Sequence, residues 1–570
     1  MRLHHHRSTQ SPGAIAPGGC QIAKFRIVVI ALFYKFALLL PILAVADASK
    51  NYYPRTKSTD DGHLSLNIKS QTTPIPFNKL HSWIVSIKTP SGEPVQPLEI
   101  LIDGGMSRHR HGLPTQPQVT RYLGAGKYLI EGLQFHMMGV WQLRFDCLDD
   151  LGWHHVTFNL LIGSPKIETE EALGTAEISV IKGLSLKPGS VPRDPSNAVA
   201  DNSEAAKLGQ AIFFDPIFSR NQKVSCATCH QPERYFSDGQ AQSQGLSKVS
   251  RNAPSLVGVA FNQWFYWDGR RDSLWAQALT PFEAAQEMGL TRIEVLQNIA
   301  NNPIYSGAYN ALFDALPEWI IQNKARVKPA SPMGSNVEKS AWKTIPPRDK
   351  RAINTAFANI GKVIAAYERT LLPTRALFDH YVELLVAGRK DEAQVVLSPK
   401  QFAGMKLFIS GRSQCLTCHN GPLLTNQGFH NIGTGVNGEN IRDMGRVLGI
   451  QAVLLDQFNC QGRYSDAPST TCEKLRYLNR QEIGALMDGA FKVPSLRNLN
   501  HTAPYMHDGR FATILETLKH YQNPPDKTKL IHEISKLDLS DNDLENLAEF
   551  LQTLSGSVAV FPEWLKPLSH

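Results

Sequence analysis

Two five-residue motifs constrain this chain more than any other feature. Cys226-Ala-Thr-Cys229-His230 and Cys415-Leu-Thr-Cys418-His419 both read C-x-x-C-H. One helical turn brings both thiols to the two vinyl groups of a single haem, and the adjacent histidine turns its imidazole onto the iron. The chain is therefore expected to carry two covalently attached c-type haems, on Cys226 and Cys229 and on Cys415 and Cys418, with His230 and His419 as proximal ligands. Zinc sites and redox thiol pairs share part of this pattern. A zinc site, however, needs further Cys or His at tight spacing, and a redox pair has no use for the following histidine twice.

Haem c is attached on the oxidising side of a membrane, and residues 1–46 have the layout of an export signal. A basic start precedes an apolar run from Ile27 to Ala46 and the small residues Ala44-Val45-Ala46. Lys35 and Pro41 interrupt that run, which favours a cleaved signal peptide over a membrane anchor. The expected location is the periplasm, with membrane attachment only if the signal stays uncleaved. The formal charge of the 570 residues is +8. Arg2, Arg7, Lys24, Arg26 and Lys35 supply five of those charges with no acid among them, so +3 remains beyond residue 46. Four haem propionates would bring that remainder close to −1. No clustered basic surface remains, so no nucleic-acid partner is expected.

Residues 63–162 alternate like strands, in runs such as Trp83 to Ile87, Leu98 to Ile102, Lys127 to Glu131 and Val156 to Leu161, broken by Gly, Pro and Asp turns. They predict a β sandwich. Residues 163–204 turn polar and Pro-rich, as a linker that becomes a packing segment. Beyond them the pattern is helical: Ile353, Phe357, Ile360, Ile364 and Tyr367 share a face, and Ser398-Pro399-Lys-Gln401 is a capped helix start. A further helix is expected after Ser540, with Gly556 as its terminator. The fold class expected is thus multidomain, with a β sandwich followed by two mainly α, cytochrome c-like haem domains, 205–397 and 398–556.

Six further stretches resemble the bacterial di-haem cytochrome c peroxidase and MauG superfamily: Leu208 to Asp215, Arg251 to Leu256, Tyr266-Trp-Asp-Gly-Arg270, Glu287-Met-Gly289, Phe491 to Asn498 and Thr502 to Gly509. In such proteins the N-terminal haem meets hydrogen peroxide, the C-terminal haem handles electrons and a calcium ion lies between them. The resemblance implies that Glu287 is the distal acid/base group, that Gln277 orders its pocket and that Trp267 bridges the haems. It likewise implies Asn252, Thr502 and Pro504 as calcium ligands, the last two through backbone carbonyls. A carboxylate in an apolar haem pocket can take a proton from peroxide and return it to the leaving oxygen.

Two features choose within the family. Residues 231–267 contain neither His nor Met, which implies an open first haem, as in MauG. The position resembling the second haem's distal ligand holds Tyr521, with Met506 as the fallback; a tyrosine there favours higher oxidation states. Ile514, Leu518 and Tyr521 also share a helical face, as a core tyrosine would. The expectation is a peroxide-dependent oxidoreductase of the MauG kind, oxidising a protein or other external donor. The alternatives are peroxide detoxification with electrons from a small cytochrome or copper protein, and a non-enzymatic di-haem carrier or sensor.

The sandwich is similar to small exported YtkA- or FixH-like β domains. It holds Met106, His109, His111, His136, Met137 and Met138, thioether and imidazole donors that together suit copper; a platform for a partner protein is the competing reading. Cys460 and Cys472 flank an insertion and are disulfide candidates in an oxidising compartment. Cys147, in a strand-like run, is expected to be a buried thiol.

Overall fold

The computed structural model describes residues 55–72, 75–76, 78–106, 111–136, 139–162, 173–187, 189, 191–323, 328–436, 441–468, 471–476, 478, 487–527, 531–560 and 562–568. The expected signal segment lies outside the described residues. No helix among the described residues is long and apolar enough to cross a membrane.

The sandwich contains β1 (Thr56–Ser58), β2 (Ser65–Ser70), β3 (His81–Lys88), β4 (Glu99–Met106), β5 (His111–Gly112), β6 (Gln118–Gly124), β7 (Lys127–Leu133), β8 (Gly139–Asp149) and β9 (Gly152–Ile162). They form two antiparallel sheets, ordered β1-β2-β3-β7-β6 and β5-β4-β8-β9. Alternation decides which side chains meet between the sheets: Trp83, Val85 and Ile87 of β3 point inward, opposite Trp141, Phe145 and Phe158. The domain starts earlier than residue 63, because β1 pairs with β2 through Thr56 and Asn67. Cys147 is fully buried, and burial pushes its thiol up to about 12.

Helices α1 (Thr175–Leu184), α2 (Ser203–Phe214), α3 (Cys226–Cys229), α4 (Leu274–Glu283), α5 (Pro347–Glu368), α6 (Leu377–Val386), α7 (Pro399–Ile409), α8 (Ile514–Gln522) and α9 (Asp541–Gln552) carry most of the haem region. The predicted caps are present: Ser398 Oγ accepts the Gln401 amide, and Ser540 Oγ accepts that of Asp543. Gly556 does not end α9. That helix closes at Thr553, and the Gly556 amide donates instead to Asn498 Oδ1.

Among the described residues three apolar cores organise this region, a small one around Val453 and Ala490 and two larger ones that cross the expected domain limits. The first of these two gathers α2, α4 and α5 around Phe213, Trp275 and Phe357, and takes in Phe458 and, from the insertion between Cys460 and Cys472, Tyr464. The second gathers α7 and α9 around Phe408, Phe550 and Leu551. The segment expected as a linker, 163–204, contributes α1 to this second core through Ile181 and Leu184. Residues 377–397, expected in the first haem domain, also belong to the second: the Phe378 and Phe550 rings lie 5.5 Å apart. Both departures arise because apolar faces found partners distant in sequence, which local periodicity does not encode. Val560, Trp564 and Leu565 return to the first core, where Tyr367 Oη donates to the Trp564 carbonyl at 2.7 Å.

Each of the two larger cores is closed by a glycine at a helix crossing. A Cβ on Gly209 of α2 would lie 1.9 Å from the Val363 carbonyl oxygen of α5, and one on Gly404 of α7 would lie 1.8 Å from that of Asn546 in α9. The backbones touch because no side chain intervenes. Gly209→Val is therefore expected to force the helices apart, at a cost of at least ~1–3 kcal/mol. Thermal unfolding against wild type measures it, and an unchanged Tm would contradict the crossing described here.

Candidate di-haem site

The two haem-binding motifs share one local design. In the first, α3 places Cys226 and Cys229 one turn apart, and the His230 amide donates to the Cys226 carbonyl at 3.0 Å. In the second, a short 3-10 turn at Cys415–Thr417 does the same, with the His419 amide 2.8 Å from the Cys415 carbonyl. His230 Nδ1 lies 2.9 Å from the Phe236 carbonyl and His419 Nδ1 lies 2.9 Å from that of Leu424. A carbonyl only accepts, so Nδ1 carries the hydrogen and Nε2 presents its lone pair. Burial lowers both imidazoles, that of His419 to about 4, which keeps them neutral as iron ligands must be.

Beside the second motif lies a cavity of about 310 Å³, lined by Cys415, Cys418 and His419 and, among others, by Leu544, Leu547 and Leu551. Tyr521, Ile514 and Leu518 of α8 line it, and so does Met506; both candidate distal ligands therefore border the cavity. Asn252, Thr502 and Pro504, the expected calcium set, border it as well. Trp267 lines it from the first haem domain, with its Nε1–H donating to the Asn252 carbonyl at 3.0 Å and its own carbonyl accepting the Lys492 amide at 2.7 Å. Arg251 fixes this junction: Nη1 donates to Asp268 at 2.7 Å, and Nε and Nη2 donate to the two oxygens of Asp443.

Glu287 acts electrostatically on Cys226 and Cys229 of the first motif and is braced by its neighbours. The Leu246 amide donates to the Glu287 carbonyl at 2.9 Å and the Ser247 amide to that of Gln286 at 3.0 Å. Gly245 allows the approach, since a Cβ there would lie 2.8 Å from Glu287 Cα. Burial raises the Glu287 carboxyl above the ordinary range, against the pull of Arg270. Gln277 Oε1 is buried and has no hydrogen-bond partner among the described residues. Tyr266, whose hydroxyl lies 3.4 Å from the Gln277 carbonyl, stacks beneath the Arg270 guanidinium at 3.4 Å.

Residues 203–385 match the family model described as di-haem cytochrome c peroxidase. The methylamine utilization protein MauG of Methylorubrum extorquens is 29% identical over 386 residues, covering 67% of this chain and 86% of that protein. Cytochrome c551 peroxidase of Pseudomonas aeruginosa is 27% identical over 357 residues, covering 62% and 80% respectively. Cytochrome-c peroxidase IdrP2 of Denitromonas iodatirespirans is 27% identical over 391 residues, covering 67% and 92%.

This chain belongs to the di-haem cytochrome c peroxidase and MauG superfamily. It is a peroxidase-type oxidoreductase, and the superfamily implies two c-type haems. The donor sets fit that cofactor, each offering two thiols and an imidazole with a fixed tautomer.

Several residues that border these sites left no trace in sequence patterns. Arg270 and Tyr266 stand in one of the family-like stretches, and their electrostatic link to Glu287 emerges only from the folded chain. Glu368 ends α5 fully inside the first core, where burial pushes its carboxyl up to about 8. Asn426, His430 and Glu533 form a buried polar group at the second motif, with His430 Nδ1 2.8 Å from Glu533. The sandwich meets this group: Asn426 Nδ2 donates to the His136 carbonyl at 2.8 Å, and the His136 and His430 rings lie 5.1 Å apart. Of the other copper candidates, Met106 is buried in the sandwich core and pairs with His111 in backbone register. His109, Met137 and Met138 lie outside the described residues. Cys460 and Cys472 are joined in a disulfide.

Replacing Cys226 and Cys229 together by Ala is expected to remove one covalent haem and leave the other. Pyridine haemochrome absorbance per protein should fall to about half, and an unchanged value would remove the first motif from the cofactor set.

Proposed function

We propose that hydrogen peroxide reacts at the haem held by His230, that Trp267 relays the oxidising equivalents to the haem held by His419, and that the pair oxidises a protein or other external donor, as a MauG-like enzyme. The haems supply the redox chemistry by which peroxide is reduced to water with two electrons and two protons. Glu287 accepts a proton from the bound peroxide and returns it to the departing oxygen, and Gln277 orients the peroxide through Oε1. A raised carboxyl pKa suits a group that must both take and give a proton. Loop 245–247 holds Glu287 at its post. Asn252, Thr502 and Pro504 would hold calcium between the two haem domains, as hard oxygen donors do.

The observation that carries the MauG-like reading is Tyr521, which borders the cavity of the second haem on the same helix face as Ile514 and Leu518. A tyrosinate ligand favours higher oxidation states of iron. The absence of His and Met from residues 231–267 supports an open first haem. Export to the periplasm accords with haem c and with the Cys460–Cys472 disulfide. The second reading is a cytochrome c peroxidase fed by a small cytochrome or copper protein, favoured by Met506, which borders the same cavity.

Titration of the diferric protein with peroxide, followed in the near infrared, separates the two. A charge-resonance band is expected; its absence, together with turnover on a reduced small cytochrome, would establish the peroxidase instead. Glu287→Gln should slow the reaction with peroxide by ~10²–10⁴-fold, measured by stopped flow; a wild-type rate would remove Glu287 from the mechanism.

The rate should also depend on pH. Glu287 accepts a proton only when ionised, and burial raises its pKa above the ordinary carboxylate range. The peroxide rate is therefore full at pH values above that raised pKa and declines as pH falls through it. Glu287→Gln should abolish this limb, and a limb that persists in the variant would belong to another group.

A further inference from the structure

The sandwich carries a second group of metal-type donors, far in sequence from both haem motifs. Asp149 ends β8, Gly152 opens β9 opposite it, and His154 follows two residues later, so the hairpin brings the Asp149 carboxylate beside the His154 ring. His63 arrives from the turn before β2, and its ring stacks on His154 with centroids 4.5 Å apart. One donor atom each from His63, Asp149 and His154 lie within 4.8 Å of one another. Two of the edges are 3.2 Å, from His63 Nε2 to Asp149 Oδ2, and 2.9 Å, from His154 Nε2 to Asp149 Oδ1. Ligands about 2.0–2.1 Å from a tetrahedral zinc ion stand roughly 3.3 Å apart, so these edges already have the required length.

The turn that delivers His63 is built rather than loose. Thr59 Oγ1 donates to Asp61 Oδ1 at 2.6 Å, the His63 amide donates to the same oxygen at 3.1 Å, and the Asp60 amide is tied to the His155 carbonyl of β9. The other Asp61 oxygen stands 2.5 Å from His154 Nδ1. That contact holds the hydrogen on Nδ1 and turns Nε2 toward Asp149 and His63, as an outer carboxylate does for a metal-bound imidazole. His154 is 6% exposed, whereas His63 is 38% exposed, so one side of the group faces solvent.

We propose that His63, His154 and Asp149 form a binding site for a borderline first-row divalent cation of the zinc or copper(II) class, with Asp61 as the positioning carboxylate and water in the remaining position. Two imidazoles and one carboxylate suit this class and not calcium or magnesium, which prefer all-oxygen shells. Binding exchanges the proton between His154 Nε2 and Asp149 for the metal, so uptake releases a proton. None of its residues belongs to the Met- and His-containing stretches at 106–111 and 136–138 of the sequence, and it does not depend on the peroxide reading.

The test is calorimetric titration of EDTA-washed, haem-loaded full-length protein with zinc chloride, with wild type and single variants side by side. His63→Ala is expected to weaken zinc binding by at least tenfold, and Asp61→Asn by roughly 10–100-fold, the usual effect of losing an outer carboxylate. His155→Ala, beside the site but paired with Asp146, should bind as wild type does. His63 is half-exposed, so its variant is expected to keep the wild-type haem spectrum and peroxide rate, which shows that the protein remains folded. No zinc uptake by wild type, or equal affinity in wild type and His63→Ala, would overturn the proposal.

Discussion

Arg251 sets the geometry on which the paired haem sites depend. Its guanidinium spans the junction, one arm on Asp268 of the first haem domain and a two-pronged contact on Asp443 of the second. Arg251 and Asp268 are largely shielded from water, so neither partner can be withdrawn cheaply: breaking a buried pair leaves a bare charge, at about 3–5 kcal/mol. Trp267 sits one residue before Asp268, and its ring is held by the Asn252 carbonyl, one residue after Arg251. The ion pairs therefore fix two stretches of chain and, with them, the aromatic ring that lines the cavity beside the second motif. A planar, forked cation is suited to this task because its arms are rigid relative to each other.

The same economy of fixed orientation recurs at the metal-facing imidazoles. His230 and His419 each spend Nδ1 on a backbone carbonyl, and His154 spends it on a carboxylate. A carbonyl partner leaves the ring neutral and orients it; a carboxylate adds negative charge and makes the ring a stronger donor. Within one chain, two outer partners thus mark two kinds of site, one buried beside a macrocycle and one open to water. Around Glu287 the logic is steric: a glycine lets two backbones touch, and the touching strands hold a carboxyl whose burial raises its pKa.

What the sequence disclosed follows from how local each signal is. The two C-x-x-C-H motifs are complete within five residues, and the strands around Trp83 and Phe158 announce themselves by alternation, so both were legible. Family motifs brought Glu287 and Tyr521 to notice without giving their surroundings. The domain limits misled because α1 and α6 bury their apolar faces in the second core, an arrangement set by long-range contacts. The His63–His154 group was invisible for the same reason: its members are brought together only when a hairpin and a distant turn meet. Gly556 shows the converse error, a residue of the right type whose amide had a better partner in Asn498.

The return of Val560, Trp564 and Leu565 to the first core bears on the order of assembly. Trp564 stacks on Tyr367, and Gln210 donates to the carbonyls of Glu563 and Lys566. The first haem domain is therefore sealed by residues that leave the ribosome only after the whole second domain. Until then its core is missing a wall, and Cys226, which packs against that core, stands in a half-built shell. Such delay slows closure, because contacts of large sequence separation form late. It also leaves the first core unsealed until residues 562–566 have been made.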